Sequence, residues 1–165
     1  MVPMSDFRLR PATESDRTYL ERLFHLASVW GDETQTPKEG FAEDMGRYVD
    51  AWTPEQGGII AISPHRVPAG GLWLRSGTDR RPPYGFVAED IPELAIAVEA
   101  AFGGRGLGRE LLTAALDLAQ EQGHRGLSLA VDYGNDRARA IYEKIGFEVA
   151  EERPEMSTTT MVTYF

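Results

Sequence analysis

The sequence predicts a mixed α/β fold, a mixed sheet of about seven strands with about four helices, as one domain over residues 1–165. Three observations carry this. An apolar run at Glu93–Val98 passes through a glycine-rich loop into an amphipathic helical pattern and then a second apolar run at 127–131, a strand–helix–strand unit with parallel strands. Short strand-like runs bounded by Gly and Pro lie on both sides of that unit. Two segments of the N-terminal half repeat apolar residues at helical spacing.

Residues 7–10 alternate apolar and charged side chains and stop at Pro11, which predicts the first strand. Thr13 and Asp16 form a capping-box-like start, after which Tyr19, Leu20, Leu23, Phe24 and Ala27 mark a helix running to the neighbourhood of Trp30. Thr36-Pro37 opens a second helix with Phe41, Met45, Tyr48, Val49 and Trp52 on one face, and Thr53-Pro54 ends it. Gly58–Ile62 and residues 71–74 predict an antiparallel hairpin, and 76–92, rich in Gly, Pro and charge, a long ordered loop. After the fourth strand, Glu93–Val98, the stripe Leu107, Leu111, Ala114, Ala115 and Leu118 predicts a helix that stops at Gly123. A fifth strand at 127–131, a helix over Asp136–Ile145 stopped by Gly146, and strands near 147–152 and 157–165 complete the chain.

Composition narrows the function classes. Hydrophobic residues make up 42% of the chain, enough for one globular core, and cysteine is absent. That excludes disulfides and thiol nucleophiles and suits a cytoplasmic location. His25, His65 and His124 lack the paired spacing of ligands, so no metal is expected. A net charge of −9 repels nucleic acid and anionic lipid and attracts cationic partners. No window approaches the roughly 20 apolar residues of a membrane span, and no leader pattern opens the chain, so a soluble, untargeted protein with no membrane or nucleic-acid partner is expected.

Glycines in Gly103-Gly104-Arg105-Gly106-Leu107-Gly108-Arg109 let the backbone turn tightly in front of a helix whose first turn has unpaired N–H groups, which makes an anion cradle. The nucleotide-hydrolase loop needs a lysine where Arg109 follows Gly108. The dinucleotide fingerprint needs a third glycine where Leu111 or Arg109 stands; Asp132 suits a ribose-binding acid, but too little chain follows it for the rest of a doubly wound sheet.

A third design fits. The strand Glu93–Val98 followed by Arg105-Gly106-Leu107-Gly108 resembles the coenzyme A loop of the GCN5-related N-acetyltransferase (GNAT) superfamily. Downstream, Asn135, Ala138, Ile141, Tyr142, Glu143, Lys144, Gly146 and Phe147 match that family's Asn-x-x-Ala-x-x-aliphatic-Tyr-Glu-Lys-x-Gly-Phe pattern, and Asn135 is the only asparagine of the chain. The motifs span residues 93–147; the N-terminal half agrees only in element order. One departure stands out, since the family loop usually begins with Gln or Arg and this chain has Gly103.

The resemblance implies an acetyltransferase that binds acetyl-CoA between the fourth and fifth strands, which part after Val98. The pantetheine arm would pair with the backbone of Val98 and Ala100. The pyrophosphate would take N–H groups from Gly103, Gly104, Arg105, Gly106, Leu107, Gly108 and Arg109, foremost those of Gly104, Arg105, Gly106 and Gly108. Asn135 would bond the cofactor arm.

Acetyl transfer needs a neutral amine, and an alkyl amine of pKa about 10.4 is deprotonated only about once in 2,500 molecules at pH 7. Glu93, directly or through water, is the candidate base; an exposed strand-end charge is the alternative. The Val98 N–H is the implied oxyanion donor and Tyr142 the implied acid for the leaving thiolate, against a packing role for that ring. Trp30, Trp52, Tyr84 and Phe86 are either core or acceptor-site residues, and the pairs Asp32-Glu33 and Glu89-Asp90 could attract an amine cation. The acceptor, a small molecule or a protein amine, is not legible. The resemblance is compatible with a homodimer, and a non-catalytic CoA-binding sensor or a dinucleotide-binding oxidoreductase stays open as the alternative.

Overall fold

The computed structural model describes residues 6–76 and 84–165. β1 (Arg8–Pro11) leads into a 3-10 turn (Glu14–Asp16) and α1 (Arg17–Ser28). The expected cap is present: the Thr13 N–H donates to Asp16 Oδ2 at 2.8 Å, and Arg10 grips the same carboxylate with two bonds of 2.8 Å. The second helix differs from expectation. α2 covers only Phe41–Met45 and begins after Gly40, whose φ of 86° breaks any helix started at Pro37. It continues as a π-helical turn, Gly46–Asp50, in which Arg17 Nη1 donates to the Val49 carbonyl at 2.5 Å, a partner no local pattern encodes.

β2 (Gly58–Ile62) and β3 (Pro68–Arg75) form the antiparallel hairpin, and β4 (Glu93–Val98) has the expected bounds. α3 (Leu107–Glu121), β5 (Gly126–Asp132), α4 (Asp136–Ile145), β6 (Glu148–Arg153) and β7 (Thr158–Tyr164) follow. The strands form one seven-stranded mixed sheet in the order β1-β2-β3-β4-β5-β7-β6. Parallel pairing of β4 with β5 is confined to Glu93 with Ser128, so the ladder ends well before Val98, where the strands were expected to part. Much of the expected loop at 76–92 lies outside the described residues. Among them no helix is long and apolar enough to cross a membrane.

The chain packs as two compact units. One comprises Met1–Trp73 and Ile96–Leu111, with Leu20, Leu23, Leu26, Val49, Trp52, Ile60, Leu72 and Trp73 buried. Phe24 stacks on Tyr48 and Phe41, and the Trp73 indole N–H donates to the Tyr48 carbonyl at 2.7 Å. The other comprises Leu74–Ala95 and Leu112–Phe165, with Ile91, Leu94, Leu112, Leu127, Leu129, Val131, Phe147 and Met161 in its core.

Candidate active site

In the first unit, β4 ends at Val98 and the chain enters a 3-10 turn, Ala100–Phe102, before the glycine loop. Gly104 and Gly106 have φ of 76° and 78°, the left-handed conformation that a side chain disfavours, and a Cβ at either would meet no atom within 4 Å. Both therefore face open space. The N–H groups of Gly104, Arg105, Gly106, Leu107 and Gly108 have no partner among the described residues, and α3 begins at Leu107. Several such donors thus adjoin a helix N-terminus, which favours an anion.

Two loop residues depart from their expected roles. The Gly103 N–H donates to the Ala100 carbonyl at 3.2 Å, so neither of those groups is open to a ligand. Ala100 itself lies in the 3-10 turn and presents no extended edge, which leaves Val98 for strand-like pairing. Leu107 is buried and offers only its backbone. Arg105 and Arg109 are exposed, and the Arg105 guanidinium stands 5.6 Å from the centre of the Phe102 ring.

Sequence reasoning missed what holds Val98 and the loop stem. A Cβ at Gly70 would lie 2.7 Å from the Ala97 carbonyl oxygen and 3.0 Å from the Val98 Cα, so only glycine lets β3 come this close; the Gly70-Gly71 doublet inside a strand was the available signal. Glu99, just before the turn, accepts from the Tyr19 hydroxyl at 2.8 Å and from Arg22 at 2.7 Å. Burial pushes this carboxyl up, but Arg22 and Tyr19 outweigh it and hold it below the ordinary value.

In the second unit, the structure settles that Glu93 is not an exposed strand-end charge. It is 3% exposed, its Oε2 accepts the Gly85 N–H at 3.1 Å, and Arg75 Nη1 lies 3.5 Å from its Oε1. A Cβ at Gly85 would stand 2.7 Å from the Leu129 carbonyl carbon, so glycine lets this segment lie on β5. The neighbours on either side are pinned by backbone: Thr160 Oγ1 donates to the Tyr84 carbonyl at 2.5 Å, and Arg153 Nη2 to the Phe86 carbonyl at 3.0 Å. Glu93 is thereby tied to the backbone of the segment that carries Tyr84 and Phe86.

Asn135 stands at the N-cap of α4 but makes no capping bond, and its half-buried side chain has no partner among the described residues. An asparagine that leaves its cap unused is available to a ligand. Tyr142, on α4, packs edge-on against Phe147 with ring centres 6.2 Å apart, and its hydroxyl has no hydrogen-bond partner among the described residues. Burial, with a smaller contribution from Asp132, pushes its pKa up to about 12.

The expected acceptor residues divide. Trp52 is core: it is 1% exposed and its indole N–H donates to the Gly57 carbonyl at 3.1 Å, which withdraws it as an acceptor contact. Trp30 is half-exposed in a left-handed conformation after α1. The acidic pairs are largely engaged, since Glu33 pairs with Arg22, Asp32 accepts from Thr34 and Gln35, and Asp90 pairs with Arg125.

The sequence profile of the acetyltransferase (GNAT) family matches residues 14–147. A mycothiol acetyltransferase of Corynebacterium aurimucosum is 37% identical over 158 residues, covering 82% of this chain and 49% of that protein, so the chain spans about half the length of this relative. Among solved structures, a GCN5-related N-acetyltransferase from Kribbella flavida superimposes with a TM-score of 0.71 at 20% identity, over 97% of this chain and 98% of its own. The spermidine N-acetyltransferase from Vibrio cholerae in complex with CoA and spermine gives 0.67 at 18% identity, over 98% and 96%.

Proposed function

This chain belongs to the acetyltransferase (GNAT) family, and on that premise we propose that it moves the acetyl group of acetyl-CoA to a primary amine by direct attack in a ternary complex. One observation carries the reading: at the start of α3 the N–H groups of Gly104 to Gly108 have no partner among the described residues, the kind of donor set a pyrophosphate requires. The Asn135 amide, unpartnered among the described residues, supports it as a second contact for the cofactor arm.

In this reading Glu93 takes the proton of the amine. Its burial supports delivery of the amine proton through a water relay, with Arg75 and the Gly85 N–H meeting the carboxylate charge. The amine lone pair attacks the thioester carbon, the Val98 N–H donates to the oxygen as it gains charge, the C–S bond breaks, and the surplus proton of the new amide nitrogen passes to the departing sulfur, which leaves as the CoA thiol. Tyr142 donates a hydrogen bond to the departing thiolate. Full proton transfer from a hydroxyl at about 12 to a thiolate near 8.5 would be uphill by roughly 5 kcal/mol, so the proton stays on Tyr142.

Tyr84 and Phe86, flanking the Gly85 that bonds Glu93, are the acceptor contacts in this reading, with Trp30 a further one after α1. The relative named mycothiol acetyltransferase and the neighbour bound to spermine direct the acceptor search to amines. A panel containing a mycothiol-type amine, spermine, and peptides with a free N-terminus or lysine tests the proposal by release of CoA thiol and by product mass. Amine-dependent release with an acetylated product is expected. Binding of acetyl-CoA with no release for any amine would instead identify a non-catalytic CoA sensor.

A further inference from the structure

Glu99 is a partly buried carboxylate, its side chain 13% exposed, at the stem of a loop read as an anion site. A negative charge there opposes a bound pyrophosphate, so its presence calls for a reason. Its surroundings supply one. Oε2 accepts the Tyr19 hydroxyl at 2.8 Å, and Arg22 forks onto both oxygens through Nε at 2.9 Å and Nη2 at 2.7 Å. The backbone is held as well: its N–H donates to the Ala69 carbonyl at 2.8 Å, and its carbonyl accepts the Phe102 N–H at 2.9 Å. Arg22 Nη1 reaches on to Glu33 at 3.1 Å, in the segment after α1 that begins with the left-handed Trp30 and Gly31.

We propose that Tyr19, Arg22 and Glu99 form a positioning clamp that fixes where the cofactor loop begins, and that Arg22, shared with Glu33, ties the segment after α1 to the same anchor. The clamp rests on the reading of the loop as a pyrophosphate site. A loop with Gly103, Gly104, Gly106 and Gly108 loses much conformational freedom when its N–H groups converge on a ligand. Fixing the stem before binding reduces that loss, and Arg22 neutralises the carboxylate that does the fixing. The effect belongs to the pyrophosphate and not to the pantetheine end of the donor.

The test compares CoA with S-acetylpantetheine, which lacks the pyrophosphate, for binding to the full chain and to the variants Tyr19→Phe and Arg22→Gln. Arg22→Gln should weaken CoA about tenfold, the scale of a charge-assisted bond, and Tyr19→Phe less, with S-acetylpantetheine unchanged. Arg22→Lys, which keeps charge without the fork, should recover part of the loss. Tyr19→Phe removes one hydroxyl isosterically and keeps the test open if Arg22→Gln fails to fold. Unchanged CoA affinity in both variants, beside loss of CoA binding in Gly106→Asp, would overturn the clamp; so would equal weakening of both ligands. Failure of the unaltered protein to bind CoA would instead overturn the loop reading on which the clamp rests.

Discussion

Burial alters the chemistry of Tyr142. Burial holds its hydroxyl neutral up to about 12, so it remains a donor across any working pH. Tyr142→Phe should lower kcat about a hundredfold, the scale of one well-aimed hydrogen-bond donor to a developing charge, while the acetyl-CoA Kd stays put; equal turnover in the two proteins would reduce Tyr142 to a packing partner of Phe147. The raised value also fixes a sign. Stability tied to the neutral hydroxyl is whole below the unfolded value of about 10 and is lost as pH rises toward about 12. Unfolding curves should therefore show a steeper loss over that window in the native chain than in Tyr142→Phe. Gly103 gives the opposite kind of prediction. Its backbone is extended, with φ −66° and ψ 153°, and a Cβ would meet only the Ala100 oxygen at 3.4 Å. Gly103→Arg should be accommodated, cut loop entropy and tighten CoA by about threefold to tenfold; weaker binding would show that the loop needs this glycine.

At the scale of elements, the start of α1 depends on one carboxylate used twice. Asp16 caps the Thr13 N–H and receives both Arg10 bonds, and Arg10 above all holds it below its ordinary value despite burial. Asp16→Asn should cost about 1 kcal/mol in urea unfolding at pH 7. Because the carboxyl is depressed, that contribution is present above pH about 3.9 and lost as pH falls further, so the difference between the two proteins should vanish in acid. This cap was legible in the sequence because it is local. So were the ends of α3 and α4, where Gly123 and Gly146 take φ of 82° and 125°. The π-helical turn after α2 was not, because the bond that occupies its Val49 carbonyl comes from Arg17, 32 residues away. The site divides in the same way. The glycine loop and the α4 motif are contiguous and readable, whereas Glu93 acquires Arg75 and Gly85, and Glu99 acquires a tyrosine 80 residues away, only when the chain folds.

For the whole molecule, the charge of −9 acts as a field rather than through chosen pairs, because Glu33, Asp32 and Asp90 already have partners. A cationic acceptor should therefore show a KM that rises with ionic strength between about 0.01 and 0.15 M at nearly constant kcat; a salt-independent KM would point to a local carboxylate instead. An anionic cofactor binds this acidic chain only if the loop supplies local attraction against that field. The thermal shift given by acetyl-CoA is accordingly the most direct measurement. At about a hundredfold over Kd, binding should stabilise the protein by about 2.7 kcal/mol, and Gly106→Asp, which puts a carboxylate in the open space above the loop, should fold and show no shift. An equal shift in the two proteins would contradict the assignment of this loop to the pyrophosphate of acetyl-CoA.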